Sequence, residues 1–369
     1  MNFDEIYECC IDKIDNWKIN NIKPSDLKAT LHFSMTNKVY KIENSKKVSP
    51  NAVIFRVFSK SSKIIDLDLN SRLFKACAHD GIGPQILYDQ TPKYRIEEFL
   101  EGRVLTFLEL NNKFIIETFS RKICEFHYNS NLKKILIEKD TRNPFALNVF
   151  DTWINTFKSE YSFYLSRVTT PRNKFIMEQL SYILTDEFKK DYFELLPKGD
   201  QEAVASHNDI LENNLIILNN DKSKIYIIDY EYTHINYRAF DLSLYLLETK
   251  LDYSNQEFPF FAYYEEACLT ESNFDLLIKG YLDHYYKNFY KGPKQYQEFM
   301  NDEIPILKDE VIKLEPINVI IWGIWGILVV DWENLDEKCY NFEYSFHKLE
   351  LFKKLRNRIN LKNRTDKDI

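Results

Sequence analysis

Two short apolar runs, residues 215–218 and 224–228, are joined by a polar turn at 219–222 and read as a β-hairpin set inside sequence that is otherwise helical in pattern. The chain entering it is Ser206-His207-Asn208-Asp209-Ile210-Leu211-Glu212-Asn213-Asn214, and the chain leaving it is Asp229-Tyr230-Glu231-Tyr232. Asp209 and Asn214 are five residues apart. A carboxylate so placed can reach a hydroxyl while an amide oxygen, one loop further on, reaches a metal ion. The hairpin then returns Asp229 to the same ion. Each part has a plainer reading: a lone His-x-Asp is more often a turn or a helix cap, and an Asp can simply end a strand. The conjunction, with both strands in place, favours chemistry. His207 reads as a structural residue that pins the loop by hydrogen bonds, not as a base.

Around the hairpin the pattern divides the chain in two. Residues 3–17 carry apolar side chains at helical spacing (Phe3, Ile6, Tyr7, Cys10, Ile14, Trp17). Residues 38–42 and 53–58 are β-rich runs flanking a polar turn at 44–50. A helix over about 63–79, ended by Gly81 and Pro84, precedes strands near 85–87 and 94–99. Beyond Gly102 the pattern is mainly helical, through 123–127, 151–165 and 173–196, and again from Phe240 to the end. We expect an α+β, two-lobed layout like that of the protein kinases: a small β-rich N-lobe over 1–100 with a leading helix, and a large mainly helical C-lobe over 101–369 carrying the hairpin. A length of 369 residues suits two lobes better than one core. Layout alone says little about function.

Composition removes some classes of partner. A net charge of −7 argues against nucleic acid, and the basic run at 353–358 reads as a solvated helix face. The longest apolar run, 317–330, is about fourteen residues and is interrupted by Asn318, Gly323 and Gly326. It falls short of the ~20 needed to span a bilayer, so a buried helix is expected and no integral membrane segment. The acidic N-terminus lacks the pattern of a signal peptide. Six cysteines without a CxxC pair read as reduced thiols of a cytoplasmic protein.

Spacing and placement around the hairpin match the catalytic loop of the protein-kinase template, where phosphoryl transfer rests on positioning and charge neutralisation. On this reading ATP is the donor, Asp209 orients the acceptor hydroxyl and takes its proton, and Asn214, Asp229 and Glu231 are oxygen ligands suited to Mg2+.

These residues, together with Asn236-Tyr237-Arg238-Ala239-Phe240-Asp241, resemble the choline/ethanolamine kinases, and choline kinases most. The similarity continues through Glu248, Tyr253, Phe258-Pro259-Phe260-Phe261 and Trp322-Gly323-Ile324-Trp325, and covers residues from about 30 to 350. The resemblance implies an ATP site between the lobes. Residues 32–37 match the nucleotide loop; relatives usually hold two glycines there, where this chain has Phe33 and Ser34. Ser34, Thr36 and Asn37 remain as donors. Arg56 matches the basic residue that contacts ATP phosphates, although an arginine on a strand is ordinarily a surface residue. Relatives pair it with an acid on the following helix, but Asn70 occupies that place, with Asp66 or Asp68 as substitutes. Residues 97–100, including Glu98 and Leu100, match the hinge that holds adenine.

For the acceptor, the resemblance implies a choline site lined by Trp322, Trp325, Tyr253, Tyr232 and Tyr344, with Glu248 supplying negative charge. Physics agrees, because a quaternary ammonium has no N–H and must be held by aromatic faces and a carboxylate. Without the family, the two tryptophans would read as core packing and Glu248 as a surface ion-pair partner. Tyr340 or Phe342 fills a gap beside Tyr344 left by an apparent two-residue insertion. The family further implies a place in phospholipid synthesis and a homodimer. Choline kinase is the first reading, and ethanolamine kinase or a dual enzyme the second. An aminoglycoside-type phosphotransferase would call for an acid-lined pocket, and a pseudokinase would not need Asp209, Asn214 and Asp229 together.

Overall fold

Alternation of apolar side chains along residues 38–57 becomes, in a computed structural model of the chain, the centre of an antiparallel sheet. The structure describes residues 1–32, 37–58, 65–139, 143–198, 203–333, 335 and 338–365, and these form two compact units. The first comprises Met1–Val104, Ser130–Lys139 and Asn213–Thr233. The division thus falls at Val104, and the hairpin clusters with the β-rich segment that precedes it.

Five strands, β1 (Leu27–His32), β2 (Lys38–Asn44), β3 (Ala52–Val57), β4 (Ile86–Gln90) and β5 (Tyr94–Glu98), pair antiparallel in the order β1-β2-β3-β5-β4. The period of two buries Tyr40, Ile42 and Asn44 of β2. β3 is covered on both faces, which is why its sequence is nearly continuously apolar. Helices α1 (Phe3–Lys13) and α2 (Asp15–Ile19) share one core with this sheet, bringing Ile6, Cys10, Ile14 and Trp17 to Tyr40, Ile42, Val53 and Phe55. The leading helix expected over 3–17 therefore breaks at Ile14, whose backbone is extended. Trp17 is anchored by its Nε1, which donates to the Pro50 carbonyl at 2.8 Å. Helix α3 (Leu67–His79), capped by Asp66, sets Asn70 and Phe74 against Arg95 of β5. The hairpin strands Leu215–Leu218 and Ile225–Ile227 pair as read, and Gly102–Val104 joins them as a third strand. A Cβ at Gly102 would run into the Ile217 backbone, so this close approach requires glycine.

The second unit comprises Leu105–Asn129, Asp140–Glu212 and His234–Ile369 and is mainly helical. A short ribbon, Ala203–Ser206 paired with His234–Tyr237, frames the loop that carries Asp209. The helix expected over 173–196 is three pieces: Pro171–Leu180, a 3-10 turn Ser181–Leu184, and Asp186–Leu195. The last restarts because the Thr185 hydroxyl accepts the Phe188 N–H. Run 317–330 closes the helix Tyr296–Leu328, which is long and apolar enough to cross a membrane by length and composition, but 83% of its most apolar window is buried inside the protein. Gly323 and Gly326 let the Tyr340–Thr365 helix pack closely on it: a Cβ on either would meet Lys348, Ser345 or Tyr344. Basic run 353–358 is not simply a solvated face. Arg356 reaches the buried Asp191 and Arg358 the buried Glu315, whereas Lys353 and Lys354 pair with the exposed Glu350 and Glu265.

Candidate functional site

In the second unit the loop after Ser206 is held by one carboxylate. Asp241, fully buried in the first turn of the Ala239–Glu248 helix, accepts the N–H groups of His207 and Asn208, each at 2.7 Å. Its Oδ2 lies 2.9 Å from His127 Nε2, and His127 Nδ1 lies 2.9 Å from the Tyr281 hydroxyl. Burial pushes the Asp241 carboxyl up, but the His127 hydrogen bond, the His127 and His207 charges and the His207 N–H together hold it below the usual range. Asn208 is left-handed, with φ 68°, and its side chain is locked: Oδ1 accepts from Asn236 Nδ2 at 2.8 Å and Nδ2 donates to the Ser206 carbonyl at 3.2 Å. The Asp209 N–H donates to His207 Nδ1 at 3.3 Å. The half-buried Asp209 carboxylate thus follows backbone anchored at consecutive residues. The contacts of the Asp241, His127 and Tyr281 clamp do not follow from the sequence, although Asp241 ends the 236–241 run and His127 lies on the apolar face of residues 123–127.

In the first unit, Asp229 leaves the hairpin in a left-handed conformation, φ 71° and ψ 73°, which costs an L-residue free energy and is found where surrounding structure imposes it. The Ile228 N–H donates to the Asn214 carbonyl at 2.9 Å, so the two ends of the hairpin are neighbours. Asn214 is buried, and Asp229 and Glu231 are half-buried. Arg56 puts NH1 3.8 Å from Asp229 Oδ2. Its partner acid is neither Asp66 nor Asp68, which both pair with Lys139 at 3.3 and 2.9 Å. Arg56 Nε instead donates to Glu97 Oε1 of β5 at 2.9 Å. The register explains this: Arg56 stands opposite Arg95 across β3 and β5, which leaves Glu97 on the diagonal of the same face. Arg95 also binds Glu97, at 2.9 Å from Nε and 2.8 Å from NH2, and stacks on Phe74 at 3.7 Å. Among the described residues, Asn70 reaches Arg95 NH1, at 3.5 Å. Burial pushes the Glu97 carboxyl up, but the two guanidinium groups outweigh it and hold it below its ordinary value.

Of the nucleotide-loop residues, Ser34 and Thr36 lie outside the described residues, while Asn37 Nδ2 donates to Glu231 Oε2 at 3.3 Å. Glu98 accepts the Gln85 N–H on its carboxylate at 2.9 Å, and the Leu100 carbonyl accepts the Gly102 N–H at 2.7 Å. Among the described residues no three His, Cys, Asp or Glu side chains cluster to hold a metal. One amide and two carboxylates at the hairpin ends nevertheless suit magnesium, which keeps waters and takes few protein ligands beside phosphate oxygens. Tyr232 is buried in this unit.

The remaining acceptor candidates lie in the second unit. Tyr253 donates to Glu248 Oε1 at 3.3 Å, and Tyr344 stacks on Tyr340 at 5.5 Å and meets Phe261 edge-on at 5.8 Å. Tyr340 is therefore the aromatic beside Tyr344; Phe342 is turned into the core against Trp332. Trp322 and Trp325 meet edge to face at 5.6 Å on the helix whose glycines abut Tyr344 and Lys348. Burial first, then the Glu248 charge, pushes the Glu212 carboxyl up to about 8. Burial likewise raises Glu248, against the opposing pull of Lys348. Asp209 is close enough for its charge to act on the Tyr344 phenol. Buried acids, a cluster of rings and the anchored loop thus occur in one unit.

The family model described as choline/ethanolamine kinase matches residues 29–353. The chain is 27% identical over 305 residues to a human choline/ethanolamine kinase, covering 80% of this chain and 72% of that one. A rat choline/ethanolamine kinase is 25% identical over 282 residues, 76% of this chain, and the match spans 66% of the rat protein, just under two thirds of its length. A yeast (Saccharomyces cerevisiae) ethanolamine kinase is 23% identical over 347 residues, 86% of this chain and 62% of that one. Among solved structures, a choline kinase from Cryptosporidium parvum superposes with a TM-score of 0.73 at 22% identity, covering 98% of this chain and 97% of that one. The two-lobed protein-kinase-like fold is thereby established. With a family match that runs through both compact units, the chain belongs to the choline/ethanolamine kinase family.

Proposed function

We propose that this chain transfers the γ-phosphoryl group of ATP to the hydroxyl of a small amino alcohol, choline by first preference and ethanolamine by second. The observation that carries the reading is the buried Glu248 carboxylate set among Tyr253, Tyr344 and Tyr340, with Asp209 near enough to act on Tyr344. Rings and a carboxylate form the environment that holds a cation lacking N–H groups.

On this reading Asp209 holds the acceptor hydroxyl and accepts its proton as the oxygen attacks phosphorus. Asp241, through the His207 and Asn208 amides, keeps that carboxylate in place. Asn214, Asp229 and Glu231 would hold magnesium, which supplies positive charge to the transferring phosphates. Arg56, oriented by Glu97, would present a guanidinium to the same phosphates. Six free cysteines are in keeping with a reducing cytoplasm. ADP release by the purified chain with Mg·ATP and a panel of choline, ethanolamine and their methylated intermediates tests the reading. Acceptor-dependent release greatest with choline supports it; release that no amino alcohol stimulates overturns it.

A further inference from the structure

A cation already stands beside the Glu248 carboxylate proposed to hold the acceptor. Lys348 is 0% exposed, and its Nζ lies 4.0 Å from Glu248 Oε1 and 5.0 Å from the centre of the Tyr344 ring. Its Nζ has no hydrogen-bond partner among the described residues, and neither has Glu248 Oε2. An enclosed ammonium without a protein hydrogen-bond acceptor among the described residues is rare, since lysine is almost never fully buried unless paired. The root of its side chain packs closely beside Gly323 of the neighbouring helix. Carboxylate and ring are the same partners that an acceptor's ammonium group needs.

We propose that Lys348 is a resident counter-cation of the acceptor site, seated beside Glu248 where a cationic acceptor binds, and that it gives up its proton to bulk water when the acceptor enters. This rests on the amino-alcohol reading of the same cluster. Two cations beside one desolvated carboxylate repel. A quaternary ammonium has no proton to lose, so the lysine is the group that discharges. Burial already lowers the Lys348 pKa against the opposing effect of Glu248, while Lys250 lowers it further. The groups facing the pair are Glu248 and Lys250, the phenols of Tyr253, Tyr340 and Tyr344, and His347 beside Lys348 on its own helix. Glu212 acts on Glu248, and Glu315 engages Lys250. The consequence is a site whose affinity for cations is set by an internal competitor.

The test is calorimetric titration of choline and of ethanolamine into the wild-type chain, Lys348→Met and Lys348→Arg, from pH 6.5 to 9. If only the discharged form admits the cation, wild-type affinity should rise with pH by up to about tenfold per unit until Lys348 is neutral. Lys348→Met should bind choline about tenfold or more tightly than wild type at pH 7, with that rise flattened. Lys348→Arg, which cannot discharge, should bind about tenfold or more weakly at every pH. A folded Lys348→Met that binds no tighter overturns the proposal, as does a pH rise persisting undiminished in it, which would belong to Glu212 or Glu248. Should the Met variant fail to fold, Lys348→Arg decides, and wild-type affinity in it overturns the proposal. Wild-type binding without tightening in Lys348→Met sinks this proposal alone. Binding of neither amino alcohol by either chain sinks the amino-alcohol reading, and this proposal with it.

Discussion

Substituting Glu97 by Gln keeps the shape of a buried side chain and removes the one negative charge shared by Arg56 and Arg95. Glu97 is 3% exposed, and the two arginines are 8% and 1% exposed. At an effective dielectric of 20 and about 4 Å, each carboxylate–guanidinium pair is worth about 4 kcal/mol before desolvation is counted. Breaking such a buried group by deleting one partner costs about 3–5 kcal/mol, because Arg95 is left buried without its carboxylate and Arg56 keeps only the more distant Asp229 at 3.8 Å. The chain has two compact units, so a single unfolding free energy would not isolate the effect. Native-state hydrogen exchange at the amides of β3 and β5 reads the local opening free energy directly, and it should fall by about 3–5 kcal/mol in Glu97→Gln at pH 7. The sign with pH follows from the lowered carboxyl. Its stabilisation is present above the unfolded value of ~4.3 and is lost as pH falls through the lower folded value, so wild type and variant should converge in acid. Adding Arg95→Met should recover part of the loss by removing the charge left uncompensated. Amides of β3 and β5 that open in Glu97→Gln within about 1 kcal/mol of wild type would refute the triad as a structural unit.

Three further outcomes bear on the site. Asp209→Asn should lower kcat by roughly 10²–10⁴-fold while acceptor binding survives, as turnover and calorimetry would show; a folded variant with near-full turnover excludes Asp209 as the base. Asp229→Ala should abolish magnesium-dependent nucleotide binding, and unchanged Mg·ATP affinity would place the metal elsewhere. Trp322→Ala should cost about 0.5–2 kcal/mol of choline binding and less of ethanolamine binding, while Glu248→Gln should do the reverse or weaken both alike. A folding control is needed, since losing a packed tryptophan costs ~3–5 kcal/mol of stability; equal loss of both substrates in a folded Trp322→Ala would make the ring structural.

What could be read from the sequence was local. Residues 215–218 and 224–228 carry their own turn signal, so the hairpin and the positions of Asp209, Asn214 and Asp229 around it follow from spacing. The partner of Arg56 does not. Asp66 and Asp68 are near in sequence, whereas Glu97 comes beside Arg56 only because β5 pairs with β3 in one register. The Asp241 clamp has the same character, joining residues 127, 207, 241 and 281 by contacts that no periodicity announces. Lys348 lies between His347 and Leu349, and a lysine on a helix is ordinarily exposed, so its charge gives no sign of burial. Helix ends were the other failure: the break at Thr185 is an N-cap signal hidden inside an apolar pattern that continues across it.

The γ-phosphoryl group of ATP should end on the oxygen of the amino alcohol. Phosphorus NMR of the purified chain with Mg·ATP and choline, and separately with ethanolamine, resolves the possible products in one tube. A phosphomonoester of the amino alcohol growing in step with ADP, and absent in Asp209→Asn, is the predicted result. ATP left intact, or ADP accompanied only by inorganic phosphate with either amino alcohol present, would contradict it.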